Sequence, residues 1–385
     1  MVTYPKDWKI VPLGECVKEK LSYGINAPAI PYNAKYPSYI RITDITDDGK
    51  YDDDDKKSVD TNQKEKYLLK SGDILLARTG ASTGKSYLYH PKDGKLVYAG
   101  FLIKASIDCE NHNPRFIAGQ LKTKRFWKWV AATSMRSGQP GINGKEYASF
   151  RIPVTTKQEE EAIAATLSSF DNHIDNLTAL IEKKKTIRDG ALADLMSGRT
   201  RLAGFSGEWE ETTLGKKIDV LRGKRLVRSQ ISISSSGKFP VYQNSLLPLG
   251  YHEEFNCLPE SVFVIAAGNA GDIGYSKTAF WAADDCYYFE HDDNIDQKFL
   301  CYNFLNRQAE IYTQTRRTSI PRLSRDILEK IKMRIPPLAE QKAIADILTS
   351  MDTEIQNLEA ERDKMQAIQA GAMEDLLTGR VRLPM

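Results

Sequence analysis

Residues Lys157–Gly198 read KQEEEAIAATLSSFDNHIDNLTALIEKKKTIRDGALADLMSG. Apolar side chains fall at Ile163, Leu167, Phe170, Ile174, Leu177 and Ile181, in alternating steps of four and three. That spacing is a heptad seam and predicts a long helix lying against a partner helix. The partner is in the same chain. Residues Glu340–Gly379 carry a second seam at Ile344, Leu348, Met351, Ile355, Leu358, Met365, Ala372 and Leu376. The copies align without a gap at an offset of 181, pairing Ile163 with Ile344, Asp171 with Asp352, Leu195 with Leu376 and Leu202 with Leu383. SGRTRL and TGRVRL close them. A repeat of this length organises the reading of everything else. Each helix is about 40 residues, roughly 60 Å at ~1.5 Å per residue. Lys184 and Arg188 interrupt the first seam, and Arg362 and Gln369 the second. Polar residues at such positions fix register and orientation. An intervening segment of about 140 residues leads us to expect an antiparallel pair serving as a spacer between two globular bodies.

At 385 residues the chain calls for two or three domains. Its 41% apolar and 27% charged residues are an ordinary globular composition. No apolar run approaches the ~18 residues of a membrane span, and MVTYPKDWKI lacks a signal-peptide core. Cys16, Cys109, Cys257, Cys286 and Cys301 are scattered and form no CxxC pair. No disulfide framework or zinc site is expected, and a reducing cytoplasm fits. With a net charge of +3, any nucleic-acid surface must be local. Acid collects at Asp44–Asp48, Asp52–Asp55 and Asp284–Asp285; base collects in RGKRLVR (Arg222–Arg228) and RRTSIPRLSR (Arg316–Arg325).

The bodies also repeat. Trp8 and Leu13–Gly14 open the first as Trp209 and Leu214–Gly215 open the second. LLKSGDILLARTGASTGKS is answered by LPESVFVIAAGNAGDIGYS: turn, buried strand, glycine-rich turn. PRFIAGQLKTKRFWKWVAATS and KFLCYNFLNRQAEIYTQ each read as a helix, and SGQPGINGKEYASFRIPV matches RRTSIPRLSRDILEKIKMRIPP. The expected fold is therefore α+β: two globular domains (1–152 and 201–335), two long antiparallel coiled-coil helical regions (153–200 and 336–385), and an internal pseudo-two-fold repeat.

Catalytic patterns fail. TGASTGKS, Thr79–Ser86, follows a strand as a phosphate loop would, but Thr79 stands where the first glycine is required and YLYHPKDGKLVYA does not continue as a helix. His90, His112, His173, His252 and His291 show no metal-ligand spacing. No GxSxG elbow, GxGxxG after a strand, or methyltransferase-type [DNS]PP[FYW] tetrapeptide occurs. The chain reads as non-catalytic, with no cofactor or metal of its own.

Its loops instead concentrate groups that suit duplex DNA. The first body offers Arg78, Thr79, Ser82 and Lys85 in one loop and Arg136, Gln139, Asn143 and Lys145 in another. The second offers Arg222, Lys224, Arg225, Asn269, Arg316, Arg317, Ser319 and Arg322. Arginine bonds guanine bidentately, asparagine and glutamine bond adenine likewise, and serine, threonine and lysine mostly hold phosphates.

The order of these motifs resembles the specificity subunit of a type I restriction–modification system over essentially the whole chain. The resemblance is carried by the repeated W…LG openings, GDILLARTG at 72–80, the RIP turns at 151–153 and 334–336, EQKAIADIL with EEEAIAATL, and the LMSGR and LLTGR tails. It implies two target-recognition domains reading the halves of a split DNA sequence, with conserved helical regions setting their spacing. It further implies two docked methyltransferase subunits that carry the S-adenosylmethionine chemistry, and restriction subunits that join for cleavage. Two departures stand out: AAGNAG replaces ARTGAS in the second body, and two extra residues precede EEEAIA in the first. A coiled-coil scaffold would need the helices but not the basic loops.

Overall fold

The computed structural model describes residues 4–62, 64–135, 140–236, 238–315 and 321–384. The chain divides into two compact units: Met1–Leu177 with Glu361–Met385, and Thr178–Ala360. The long helices run Lys157–Ser197 and Leu338–Leu376, as their heptads predict.

Unit 1 is built on two four-stranded sheets. In the first, Asp73–Ala77 lies between Leu102–Ser106 and Ser86–Leu88, with Ser22–Tyr23 at the edge, all antiparallel. All five residues of DILLA are buried, so an unbroken apolar run forms a strand covered on both faces. The second sheet orders Ile30–Pro31, Lys57–Ser58, Ser38–Ile40 and Leu96–Tyr98, the last two parallel. The 114–134 segment is not the single helix its composition suggests. It breaks into Pro114–Gln120 and Lys124–Ser134, because Thr123 caps the second helix by accepting from the Phe126 amide. Lys9–Pro12 pairs antiparallel with Arg151–Val154 at the entry to the first long helix.

Unit 2 repeats the plan. Ser261–Ile265, again wholly buried, lies between Cys286–Phe289 and Ile273–Ser276, with Val220–Arg222 at the edge. A smaller sheet orders Gly250–His252, Phe239–Tyr242 and Trp281–Ala282. The expected single helix splits here too, into Gln297–Asn306 and Gln308–Gln314. Glu210–Thr213 pairs with Lys332–Ile335 in the manner of the Lys9–Pro12 ribbon.

Within each unit the long helices run antiparallel. In unit 1, Ile163 and Leu167 share a core with Leu376 and Leu377, and Gln369 donates to Asp171 at 2.6 Å. In unit 2, Leu192, Leu195 and Met196 pack with Ile344, Ala345 and Leu348, and Arg188 lies 3.6 Å from Asp352. Ile163, Leu167, Ile174, Leu177, Ile181, Ile344, Leu348 and Ile355 are buried, while Phe170, Met351 and Leu358 are only partly so. The polar interruptions are paired: Lys184 reaches Glu354 at 2.6 Å and Gln369 reaches Asp171. The seam also serves the globular cores, since Ile163 and Leu167 pack among Phe116, Ile117 and Phe150.

The closing tails grip the helix starts. Arg382 binds Glu159 in unit 1, and Arg201 binds Glu340 in unit 2 at 2.7 and 2.8 Å. Both glutamates are buried in the first turn of a long helix, where the macrodipole also favours negative charge.

Candidate nucleic-acid interface

In unit 1 the chain leaves the buried strand Asp73–Ala77 at Arg78 and turns. Gly80 and Gly84, with φ of +71° and +95°, supply the left-handed conformations of that turn. The second predicted loop is clipped to it. The Ile142 amide donates to Arg78 O at 2.9 Å, the Gly80 amide donates to Pro140 O at 3.1 Å, and Thr79 bridges Gly141. Beneath them the buried Tyr147 hydroxyl donates to Ala77 O at 2.7 Å and accepts from the Gly84 amide at 3.2 Å. Burial pushes this phenol well above its ordinary pKa, so it remains a donor.

Unit 2 builds the same clip. The Leu323 amide donates to Ala266 O at 2.8 Å, the Gly268 amide donates to Pro321 O at 3.3 Å, and Ala267 bridges Arg322. Gly268 and Gly271 take φ of +86° and +95°. Pro321, Arg322 and Leu323 stand 181 residues after Pro140, Gly141 and Ile142.

The predicted side chains are not all free to meet a ligand. The Arg78 guanidinium lies over the Tyr23 ring, 4.8 Å from its centroid. Thr79 and Ser82 sit half-buried on the turn. Lys85 turns instead to the acidic loop of its own unit, 2.7 Å from Asp47 and 3.3 Å from Ile45 O. Asn143 Oδ1 caps the helix Gly144–Ser149, accepting from the Lys145 and Glu146 amides. Lys145 is exposed on that first turn. In unit 2 the exposed Arg222 donates through Nε to Asp284 O at 2.8 Å. Lys224 and Arg225 are exposed beyond it, as are Asn269 and Arg322 on the clipped loops. Arg136, Gln139, Arg316, Arg317 and Ser319 lie outside the described residues.

Sequence reasoning missed Tyr23 and Phe101. Tyr23 accepts from the Gly144 amide at 2.9 Å, joining both clipped loops to the sheet edge. Phe101 O accepts from the Arg78 amide at 3.1 Å. A signal existed in Tyr23-Gly24 and Arg222-Gly223. Gly24 donates to Leu102 O and Gly223 to Cys286 O, and an added Cβ would lie 2.3 Å from Ala99 O at Gly24 and 2.0 Å from Ala283 O at Gly223.

The Thr79–Ser86 stretch is not a phosphate loop. After Lys85 the chain enters the strand Ser86–Leu88, antiparallel to Ile74–Leu76, so no helix N-terminus faces the turn. Among the described residues, no helix is long and apolar enough to cross a membrane.

Two clipped, glycine-rich loop pairs recur on duplicated folds joined to paired long helices. The family model described as type I restriction modification DNA specificity domain matches residues 5–185 and again 206–366. The chain belongs to this family. A curated relative, the type I restriction enzyme MjaVIII specificity subunit of Methanocaldococcus jannaschii, is 24% identical over 98% of this chain and 94% of its own. The S subunit of a type I restriction–modification system from M. genitalium shares the fold with a TM-score of 0.68 at 21% identity, covering 98% of this chain and 96% of that one. A chain from a structure on complex assembly and conformational transition of the type I R-M system matches with a TM-score of 0.57 at 14% identity. In this DNA-specificity family member, the two family segments each contain one clipped loop pair.

Proposed function

We propose that the chain is the non-catalytic reader of a split duplex DNA target, each unit recognising one half. The observation that carries this is the recurrence of the clip, Arg78–Gly80 against Pro140–Ile142 and Ala266–Gly268 against Pro321–Leu323. One backbone frame holds different side chains: Arg78 with Tyr23 in one unit, Arg222, Asn269 and Arg322 in the other. Two such frames with different chemistry suit two different half-sites. In this reading two methyltransferase subunits dock on the chain in the cytoplasm and bring S-adenosylmethionine, while restriction subunits join for cleavage. The site residues predicted from sequence are the proposed contacts, with Lys85 set aside while Asp47 holds it.

The test is methylation mapping of DNA from cells with and without this chain, alongside recovery of its bound partners. A split motif gaining a methyl group only in its presence is the expected result. No bound methyltransferase and no changed motif would favour a coiled-coil scaffold.

A further inference from the structure

We propose that Phe101 is a base-reading residue of unit 1, packing against the 5-methyl group of a thymine in the major groove beside the base pair addressed by Arg78. The inference rests on the duplex-reading function above and names one of its specificity determinants.

Phe101 stands at the apex of the turn between Leu96–Tyr98 and Leu102–Ser106 and is 59% exposed. Among the described residues its ring meets no other aromatic ring. Its backbone, by contrast, is held on three sides. Gly100 donates to Ile25 O at 2.7 Å, Leu102 to Ala99 O at 2.8 Å, and Arg78 to Phe101 O at 3.1 Å. A rigid turn that presents an apolar ring to solvent does little for the core, but it suits a partner that desolvates the ring. The chemistry beside it narrows the partner. The Arg78 guanidinium, stacked on Tyr23 and so oriented before any encounter, is suited to guanine O6 and N7. In the same groove an apolar side chain distinguishes thymine by its methyl group.

Unit 2 supplies a comparison. Two bonds of its corresponding turn recur, Ala266 donating to Asp285 O at 2.7 Å and Cys286 to Ala283 O at 3.0 Å, and Gly223 donates to Cys286 O at 2.9 Å as Gly24 does to Leu102 O. There the apex residue is Asp285, an acceptor matched to a cytosine amino group, and alanine replaces Arg78. The backbone is preserved while the side chains change class. A position that only held phosphate would keep donors in both units.

The experiment begins with selection of duplexes from a randomised library by the full chain. Each thymine of the selected sequence is then replaced by deoxyuridine, which lacks only the methyl group. We expect one replacement to weaken wild-type binding about fourfold, the worth of one buried carbon at ~0.8 kcal/mol. Phe101→Ala should bind thymine and deoxyuridine duplexes equally, with its preference in the other half-site unchanged. Phe101→Leu should keep part of the difference. Indifference of the wild type to every replacement overturns the proposal, as does a Phe101→Ala variant that weakens all sequences equally yet still distinguishes the two bases. Should Phe101→Ala fail to fold, the wild-type replacement series and Phe101→Leu decide. A wild-type chain that selects no sequence removes the duplex-reading function itself, a result separate from loss of the methyl effect alone.

Discussion

Glu340 is completely buried, and the Arg201 guanidinium and the Trp209 indole N–H both donate to its carboxylate. Removing one partner of a buried pair is worse than removing both, because a lone charge is left without solvent. Arg201→Ala should therefore cost about 3–5 kcal/mol, read from chemical denaturation, and adding Glu340→Gln should recover part of that loss. Charge is also set locally at His112, where Cys16 Sγ and the buried Glu160 carboxylate push the imidazole up to about 10 from 6.5. The folded pKa lies above the unfolded one. The stabilisation is thus complete below about 6.5 and is lost as pH rises towards about 10. The stability deficit of a His112→Asn variant should be largest near pH 6 and fade across that window. A denaturation-midpoint difference that stays constant with pH would contradict this linkage. Neither contact was legible from sequence, since Arg201 and Glu340 are 139 residues apart and His112 and Glu160 are 48 apart, with no periodicity joining them.

The elements with a strong period were the legible ones. Both long helices are where their heptads put them, and the buried strands Asp73–Ala77 and Ser261–Ile265 match their apolar runs. The segments at 114–134 and 297–314 misled because their apolar residues continue past the break, whereas the break is set by one capping hydroxyl and by a change of course at Arg307. The loop clip was illegible for a different reason. Pairing Thr79 with Gly141 depends on sheet topology, to which composition gives no access. In the seam, Ile181 is 1% exposed and Leu180 beside it 38%. Ile181→Ala should cost about 2–5 kcal/mol by leaving a cavity, and Leu180→Ala well under half of that. Equal losses in thermal unfolding would show that the seam is not the packed face. Gly24→Ala drives a Cβ into the Tyr98 and Ala99 carbonyls at 2.3 Å. It should cost about 1–3 kcal/mol and displace Tyr23 from under Arg78, and so weaken duplex binding beyond the effect of the lost stability.

For the molecule as a whole, the proposed function makes binding electrostatic as well as specific. Arg322→Ala should weaken all duplexes nearly uniformly and reduce the salt slope by about 1 if that residue neutralises one phosphate. An unaltered slope in a salt titration would show that Arg322 neutralises no phosphate and leave it only the base-reading role. If the long helices set the distance between half-sites, lengthening both by one turn should move the preferred gap and leave each half unchanged. Methylation mapping of the variant reads this directly, and an unmoved gap would end the spacer idea. The resemblance visible in the sequence extended to the family, whose model matches both halves. The half-sites were not visible, because under the proposed function they depend on side chains such as Tyr23 and Phe101, which the sequence motifs did not single out.

The division of the chain also has a temporal meaning. Unit 2 is one continuous segment, Thr178–Ala360, whereas unit 1 needs Glu361–Met385 to complete the core that holds Leu376 and Leu377. Its first 177 residues leave the ribosome and then wait through the synthesis of 183 more, Thr178 to Ala360, before their last strip of core exists. At ~5–20 residues per second that interval is roughly 10–40 s. During it unit 2 is itself still being made, while the incomplete unit 1 offers its unfilled apolar groove to chaperones, or to the matching tail of a neighbouring nascent chain.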